Sequence, residues 1–452
     1  MNIVVVGRNP EGSYSGGRYH AWILAEAIAK NHKLIYFSNA KPIFANDFVT
    51  YKDHKNVDLR IIDDQFYDLR CEEDIDIVFF IPGMDADNTF YKNTIKFASK
   101  KKAHLVLINF ESPNWFNKYS VIQRNESLWD NWVMMSRYSS CILSSSKEGM
   151  KYAKLFYKNI PQSSVFEFCY PSINSQVADQ VYFDDEIKKE KRIIMTARFT
   201  LSDHKGSYNI PDLFCEEMRG HSFILILGSG DVPSDIKSEI ENKAQEFGIN
   251  VEYKRTLDDK NKFIEIKRAK LVLFPSFFEG FGYPPIEAQY LNTACVAFRI
   301  PVIEETSPRI DMVKLGDWSK FKREIAVALE REEQDYHSDI SEIASFDSMV
   351  GNIDRVIRKV STLPLPKELN DTSSIKVAPR HVVETSTALK EKCKNILGEK
   401  QYVLLRNEYQ KFKSGDLDLL SFLFKVFKAI LKTLLPENAY RKLTKIYHKI
   451  KG

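Results

Sequence analysis

At 452 residues the chain is too long for one hydrophobic core and long enough for two ordinary domains with an appendage. Its 44% apolar and 28% charged residues are those of an ordinary globular protein. The net charge of +4 hides an asymmetry: 18 Lys and Arg against 9 Asp and Glu from Ser361 to Gly452 put +9 on the tail and leave −5 on residues 1 to 360, which argues against a nucleic-acid groove in the body. The six cysteines are far apart in sequence and propose neither a zinc site nor a disulfide framework, so a reducing cytoplasm fits best. MNIVVVG runs straight into a strand, so no secretory leader is expected, and no segment is apolar for the length of a spanning helix.

In chain order, Asn2 to Val6, Gly7 to Gly17, a helix through Ala29 and Leu34 to Phe37 predict strand, loop, helix and strand, a βαβ unit. The loop lacks GxGxxG spacing and is compatible with a mere connection. Gly16 and Gly17 nevertheless leave a bare backbone just before Tyr19, where a ligand could approach. Further strands are expected at 57–62, 75–81, 104–109, 141–144 and 165–168, with a helix at 89–100. The alternation predicts a parallel sheet covered on both faces, spanning residues 1–171. The polar interval 172–191, with DDEIKKEK, reads as a linker.

Alternation resumes with strands at 192–196, 223–227, 250–253, 271–274 and 294–298, a second doubly wound domain over 192–345. A cross-over helix is expected at 346–360 and a tether with a helical extension at 361–452. Arg198 and Lys205 lie just past the strand at 192–196; they are either solvated surface charges or a pair that neutralises an anion at the sheet end. The strand Leu271 to Phe274 is stopped by Pro275 and Ser276, then followed by Glu279-Gly280-Phe281-Gly282 and Tyr283-Pro284-Pro285. Two glycines permit close backbone approach, and paired prolines suit a helix's first turn. Backbone N–H groups and the positive end of the helix dipole would converge on a phosphate there. Glu279 and Glu287 flank the loop; carboxylates repel phosphate but accept sugar hydroxyls, so the pair reads either as solvated helix-start acids or as holders of two sugars about a pyrophosphate.

The segments ARF and HKG within 197–206, GSG at 228–230 and above all PSFFEGFGYPPIEA at 275–288 resemble the retaining GT-B glycosyltransferases of glycosyltransferase family 4, the group 1 glycosyltransferases. The resemblance is strong over about 190–300 and absent beyond about 360. It implies an α/β GT-B fold, two Rossmann-like domains facing across a cleft. It also implies that Glu279 accepts from the donor sugar, Glu287 from the ribose, the N–H groups of Gly280, Phe281 and Gly282 hold the distal phosphate, and Arg198 and Lys205 stabilise the diphosphate leaving group. Gly16 and Gly17 would meet the donor from the first domain. No metal or other cofactor is implied beyond a UDP- or GDP-sugar as substrate, and Asp85-Ala86-Asp87 reads as a loop pair rather than a metal site. Where many relatives carry a His after the strand at 104–109, this chain has Phe110; Glu111 either takes over part of that polar role or is a loop acid. The base would be met near Tyr253 to Thr256.

In the tail, Leu417, Leu420, Phe424, Phe427, Leu431 and Leu434 recur near helical spacing among Lys425, Lys428 and Lys432. This is the pattern of a basic amphipathic helix in an anionic membrane interface, or of one packed on its own body or on a second copy in a homo-oligomer. The expectation is a cytoplasmic enzyme, peripheral on the inner face of the membrane, that transfers a hexose to a surface-polysaccharide or lipid-linked glycan acceptor. The alternatives are a sugar-nucleotide epimerase or hydrolase, and a non-catalytic sugar-nucleotide-binding subunit of a polysaccharide assembly complex.

Overall fold

The computed structural model describes residues 1–9, 15–46, 57–83, 88–119, 123–200, 204–228, 230–255, 257–331, 335–372 and 375. The amphipathic tail helix at 416–434 and the Asp85-Ala86-Asp87 string lie outside them.

The first domain runs β1 Asn2–Gly7, α1 Gly16–Ala29, β2 Lys33–Ser38, β3 Val57–Ile61, β4 Ile77–Ile81, α2 Asn88–Lys101, β5 His104–Asn109, α3 Pro113–Tyr119, α4 Asp130–Ser136, β6 Cys141–Ser144, α5 Lys147–Phe156 and β7 Val165–Phe168. Then come α6 Ser175–Tyr182, β8 Arg192–Ala197, α7 Ile210–Leu213, β9 Ser222–Leu227, α8 Ser234–Phe247, β10 Asn250–Arg255 and α9 Asp259–Arg268. The chain continues with β11 Leu271–Phe274, α10 Tyr283–Tyr290, β12 Ala294–Arg299, α11 Pro301–Thr306, β13 Asp311–Lys314, α12 Trp318–Glu330, α13 His337–Ala344 and α14 Phe346–Ser361.

The strands form two parallel sheets, ordered β3-β2-β1-β4-β5-β6-β7 and β10-β9-β8-β11-β12-β13. Runs such as IVFFI in β4 and LVLF in β11 are wholly buried, as strands covered by helices on both faces must be. In each sheet the order reverses between two central strands, β1 and β4 or β8 and β11, and loops leaving the carboxyl ends there diverge to open a crevice. The expected fold, two doubly wound domains facing across a cleft, is the observed one.

Two boundaries differ from the sequence reading. The interval 172–191 is not a plain linker: Val177, Ala178 and Val181 of α6 are buried in the core of the second sheet with Phe263 and Ile266 of α9. Nor is residue 361 the start of a free tether. The α14 helix packs back on the first domain, burying Phe346, Met349, Ile353, Val356, Ile357 and Val360 with α1. The chain then continues over the first domain, where a short turn at Lys367–Asn370 buries Leu369, whose carbonyl accepts from Ser99. Among the described residues no helix is long and apolar enough to cross a membrane.

The domains are bonded on both flanks of the cleft. On one, the Glu305 carboxylate of α11 accepts from the backbone N–H groups of Lys147 (2.7 Å) and Glu148 (3.0 Å) at the start of α5, and from the Tyr170 hydroxyl (2.7 Å). An anionic acceptor at a helix N-terminus satisfies orphan donors and the helix dipole together. On the other, the Tyr19 hydroxyl of α1 donates to Asp259 of α9 at 3.1 Å and accepts from the Asn174 N–H at 3.1 Å.

Glu26 of α1 is 3% exposed, with Oε2 unpartnered, and burial pushes its carboxyl up to about 8. An acid whose folded pKa is raised binds its proton better in the folded than in the unfolded state. The stabilisation it gives is full below about 4.5 and is lost as pH rises through about 8. This group alone is therefore expected to remove up to about 1.4 kcal/mol of stability per pH unit between pH 5 and 8, against the opposite slope that the buried neutral histidines give below about 6.5. Glu26→Gln should flatten that slope. Urea midpoints across the range measure it, and superimposable curves would contradict the assignment.

Candidate active site

Between the carboxyl ends of the two sheets lies a cavity of about 300 Å³. All ten residues singled out from the sequence line it: Gly16, Gly17 and Glu111 from the first domain, and Arg198, Lys205, Glu279, Gly280, Phe281, Gly282 and Glu287 from the second. Strand ends and helix starts place them, because β8 ends at Ala197, β11 at Phe274 and α10 begins at Tyr283.

The glycines of the 279–282 loop have steric reasons. Gly282 holds φ 91°, where L side chains are strained, and a Cβ there would run into the Ile303 side chain. It is also the N-cap of α10, with no side-chain oxygen capping the helix and proline in the first turn, and the start of α10 lines the cavity. Gly280 is where the domains touch: a Cβ would lie 2.7 Å from the Phe110 carbonyl oxygen, and the Ser145 hydroxyl donates to the Gly280 carbonyl at 2.9 Å. Gly280→Ala must push backbone from backbone and hold the cleft ajar. Binding of a ligand that bridges both walls should weaken at least about tenfold, the equivalent of about 1.4 kcal/mol. Calorimetry with that ligand measures this, and unchanged affinity would contradict the contact.

The carboxylates are matched to cations. Glu279 is paired with Lys205 and accepts from the Ser276 hydroxyl at 2.6 Å. Lys205 is held there because the 204–206 segment is tied to the end of β11 by a Phe277 N–H to His204 carbonyl bond of 2.7 Å. Glu287 is 3% exposed, and burial raises its carboxyl even though Lys262 Nζ, 2.8 Å away, opposes the shift. Lys262 also pairs with Asp259 at 3.0 Å, so Tyr19, Asp259, Lys262 and Glu287 form one buried chain across the domain boundary. Glu111 is paired with Arg124, whose guanidinium carbon lies 3.6 Å over the Phe116 ring, making it a paired acid on the cavity wall.

Arg198 differs. Among the described residues it has no acidic partner; its Nη2 donates to His204 Nε2 at 3.2 Å, and its buried Nε has no partner. His204 can accept because burial, then the charges of Lys205, Arg198 and Arg124, hold its imidazole well below the ordinary value and hence neutral.

Sequence reasoning missed Lys262, Asp259 and Tyr19. The i, i+3 spacing of Asp259 and Lys262 on an amphipathic helix was readable, but helical surfaces are full of such pairs. Ile226, Leu227, Gly228 and Leu257 line the cavity from the second domain, and Tyr253 does not line it. Tyr253 instead packs against the outer core of the second sheet, and Thr256 and Ser229 lie outside the described residues.

Residues 182–344 match the family model of glycosyl transferases group 1. No curated protein matches the chain. Among solved structures of similar fold is Anabaena HepE in complex with UDP and glucose, at 11% identity and TM-score 0.56, covering 79% of this chain and 100% of that one. Another is the sucrose-phosphate synthase of Thermosynechococcus elongatus, at 12% identity and TM-score 0.58, covering 80% of this chain and 99% of that one. A glycosyltransferase from Rickettsia africae gives 14% identity and TM-score 0.56, covering 80% and 98%. The described chain thus has the GT-B architecture, and its second domain carries the match to the group 1 glycosyl transferases.

Proposed function

We propose that the chain is a retaining glycosyltransferase that moves a hexose from a nucleotide-diphosphate sugar to a surface-polysaccharide or lipid-linked glycan acceptor. The observation that carries this reading is the charge arrangement. The cavity's three glutamates each have a cation, while Arg198, which lines the same cavity as the start of α10, has no acidic partner among the described residues. A slot that holds one uncommitted guanidinium and a helix N-terminus suits an anion, and carboxylates on either side suit hydroxyls. A diphosphate between a ribose and a hexose has that order of groups. Anabaena HepE, of similar fold, has been solved in complex with UDP and glucose, which supports UDP as the first base to try.

In this reading Glu287 takes the ribose, Glu279 the hexose, and the N–H groups of Gly280, Phe281 and Gly282 the distal phosphate. Gly16 and Gly17 close on the donor from the first domain. As the bond from the anomeric carbon to the phosphate oxygen breaks, Arg198 and Lys205 meet the charge that grows on the diphosphate. The acceptor oxygen bonds to the same face of that carbon and passes its proton to the departing phosphate oxygen, which keeps the anomeric configuration. With two cations and a helix N-terminus in place, no metal is required. Incubating the purified chain with UDP- and GDP-sugars and a lipid-linked acceptor tests the reading: transfer with retained configuration, followed by NMR of the anomeric proton, is expected. Neither transfer nor donor hydrolysis would speak for a binding subunit, and inversion would sink the mechanism.

The basic tail is proposed to hold this site at an anionic membrane on the cytoplasmic side. Because Leu369 and Ile375 are buried, the truncation that tests it ends after 375 rather than at 361. In liposome flotation the full chain should float with anionic vesicles and the truncated chain should not; equal flotation would contradict the proposal.

A further inference from the structure

His20 of α1 stands out among the polar residues of the first domain's cavity wall. It is 5% exposed, it lines the cavity, and among the described residues its imidazole has no hydrogen-bond partner. Its one ring contact is edge to face with Phe110, at 5.4 Å between centroids. Buried polar side chains in native proteins are nearly always satisfied, so a buried imidazole that borders a cavity without a partner is a group that a ligand completes.

Its position says which part of a ligand. Phe110, which His20 packs against, presents its ring to Gly17 and its carbonyl oxygen to Gly280, the residue after Glu279. In the reading above the base lies toward Ile226, Leu227, Gly228 and Leu257, lining residues of the second domain. His20 therefore belongs to the Glu279 end.

We propose that His20 hydrogen-bonds a hydroxyl of the transferred sugar from the first domain, opposite Glu279, and so helps determine which sugar is accepted. This rests on the glycosyltransferase reading above. The two side chains complement each other: a carboxylate can only accept from a sugar hydroxyl, whereas a neutral imidazole has one donor and one acceptor nitrogen. Burial holds His20 at about 3, so it stays neutral at all working pH values and its role needs no titration. Phe110 packs edge to face on the imidazole. A sugar without the matching hydroxyl would leave the imidazole buried and unpaired, which is how a polar pocket discriminates.

The test compares a nucleoside diphosphate with its sugar on the full chain, by calorimetry with UDP against UDP-glucose and GDP against GDP-mannose. The wild-type chain should bind the nucleotide sugar of one pair more tightly than its diphosphate. His20→Ala should remove about tenfold from the nucleotide-sugar affinity and less than twofold from the diphosphate affinity. His20→Gln, which keeps a donor and an acceptor, should recover most of the loss, and the wild-type difference should be flat from pH 5 to 8. An equal loss on both ligands, no loss on either, or wild-type affinity that ignores the sugar would overturn the role of His20 while leaving the enzyme reading standing. Failure of the wild-type chain to bind any of the four would overturn both.

Discussion

Replacing Glu279 with alanine brings transfer below about a hundredth of the wild-type rate and leaves nucleoside diphosphate binding within a few-fold. Glu279 is on the cavity wall, is paired with Lys205 and accepts from the Ser276 hydroxyl. It is thus a carboxylate already oriented, with the side-chain entropy of its placement spent in folding rather than in binding. Hydrogen bonds to a charged acceptor are worth roughly 1.5–3 kcal/mol each. The variant loses those to the sugar and also frees Lys205, which then no longer stands where the leaving group needs it. In the proposed reading the nucleotide half is held elsewhere, by Glu287, Gly282 and the apolar wall at Leu227 and Leu257, all of which line the cavity. Steady-state rates together with diphosphate titrations check this, and normal transfer by the variant would mean that the site has been assigned to the wrong residue.

Arg198→Ala has a comparable expected effect by a different route. Removing a preorganised group that meets developing charge costs roughly 10²–10³ in kcat. Because no carboxylate among the described residues depends on Arg198, little folding stability should go with it; the bond to His204 is the main loss. The charge on the diphosphate grows only as the sugar leaves, so kcat should fall much more than KM for the donor rises. A variant with unchanged kcat and raised KM would make Arg198 a ground-state anchor. Lys262→Ala is the contrasting case: it strands Glu287 and Asp259 as buried acids, and its first symptom should be a lowered melting temperature.

Much of this arrangement was legible in the sequence, for local reasons. Parallel strands buried on both faces are short apolar runs ended by polar or glycine residues, so most of β1 to β12 could be read within a residue or two. The exception in the second sheet, β13 at Asp311–Lys314, is a four-residue edge strand with two charged ends. The helix α6 was hidden because only Val177, Ala178 and Val181 mark its buried face within a polar stretch. At the site, the glycine loop and its two acids were visible because their spacing along the chain is their spacing in space. The partners of those acids were not. Lys262 reaches Glu287 across 25 residues and Arg124 reaches Glu111 from beyond α3, and each pair is made by tertiary packing. Phe110 was noticed as a departure from the family pattern, but the imidazole that packs on it, His20, comes from a helix some ninety residues earlier, a neighbour only the folded chain reveals.

The central claim is that one cavity between the two domains binds a nucleotide sugar. The most direct measurement is the melting temperature of the full chain with UDP, GDP, ADP and their sugars, because a ligand that binds only the folded state raises it. One base is expected to raise it, with its nucleotide sugar raising it further, and at a hundred times the dissociation constant the gain is about 2.7 kcal/mol of stability. Glu287→Ala should cancel the rise for the diphosphate and its sugar alike. A wild-type chain whose melting temperature is indifferent to all six ligands would contradict the claim.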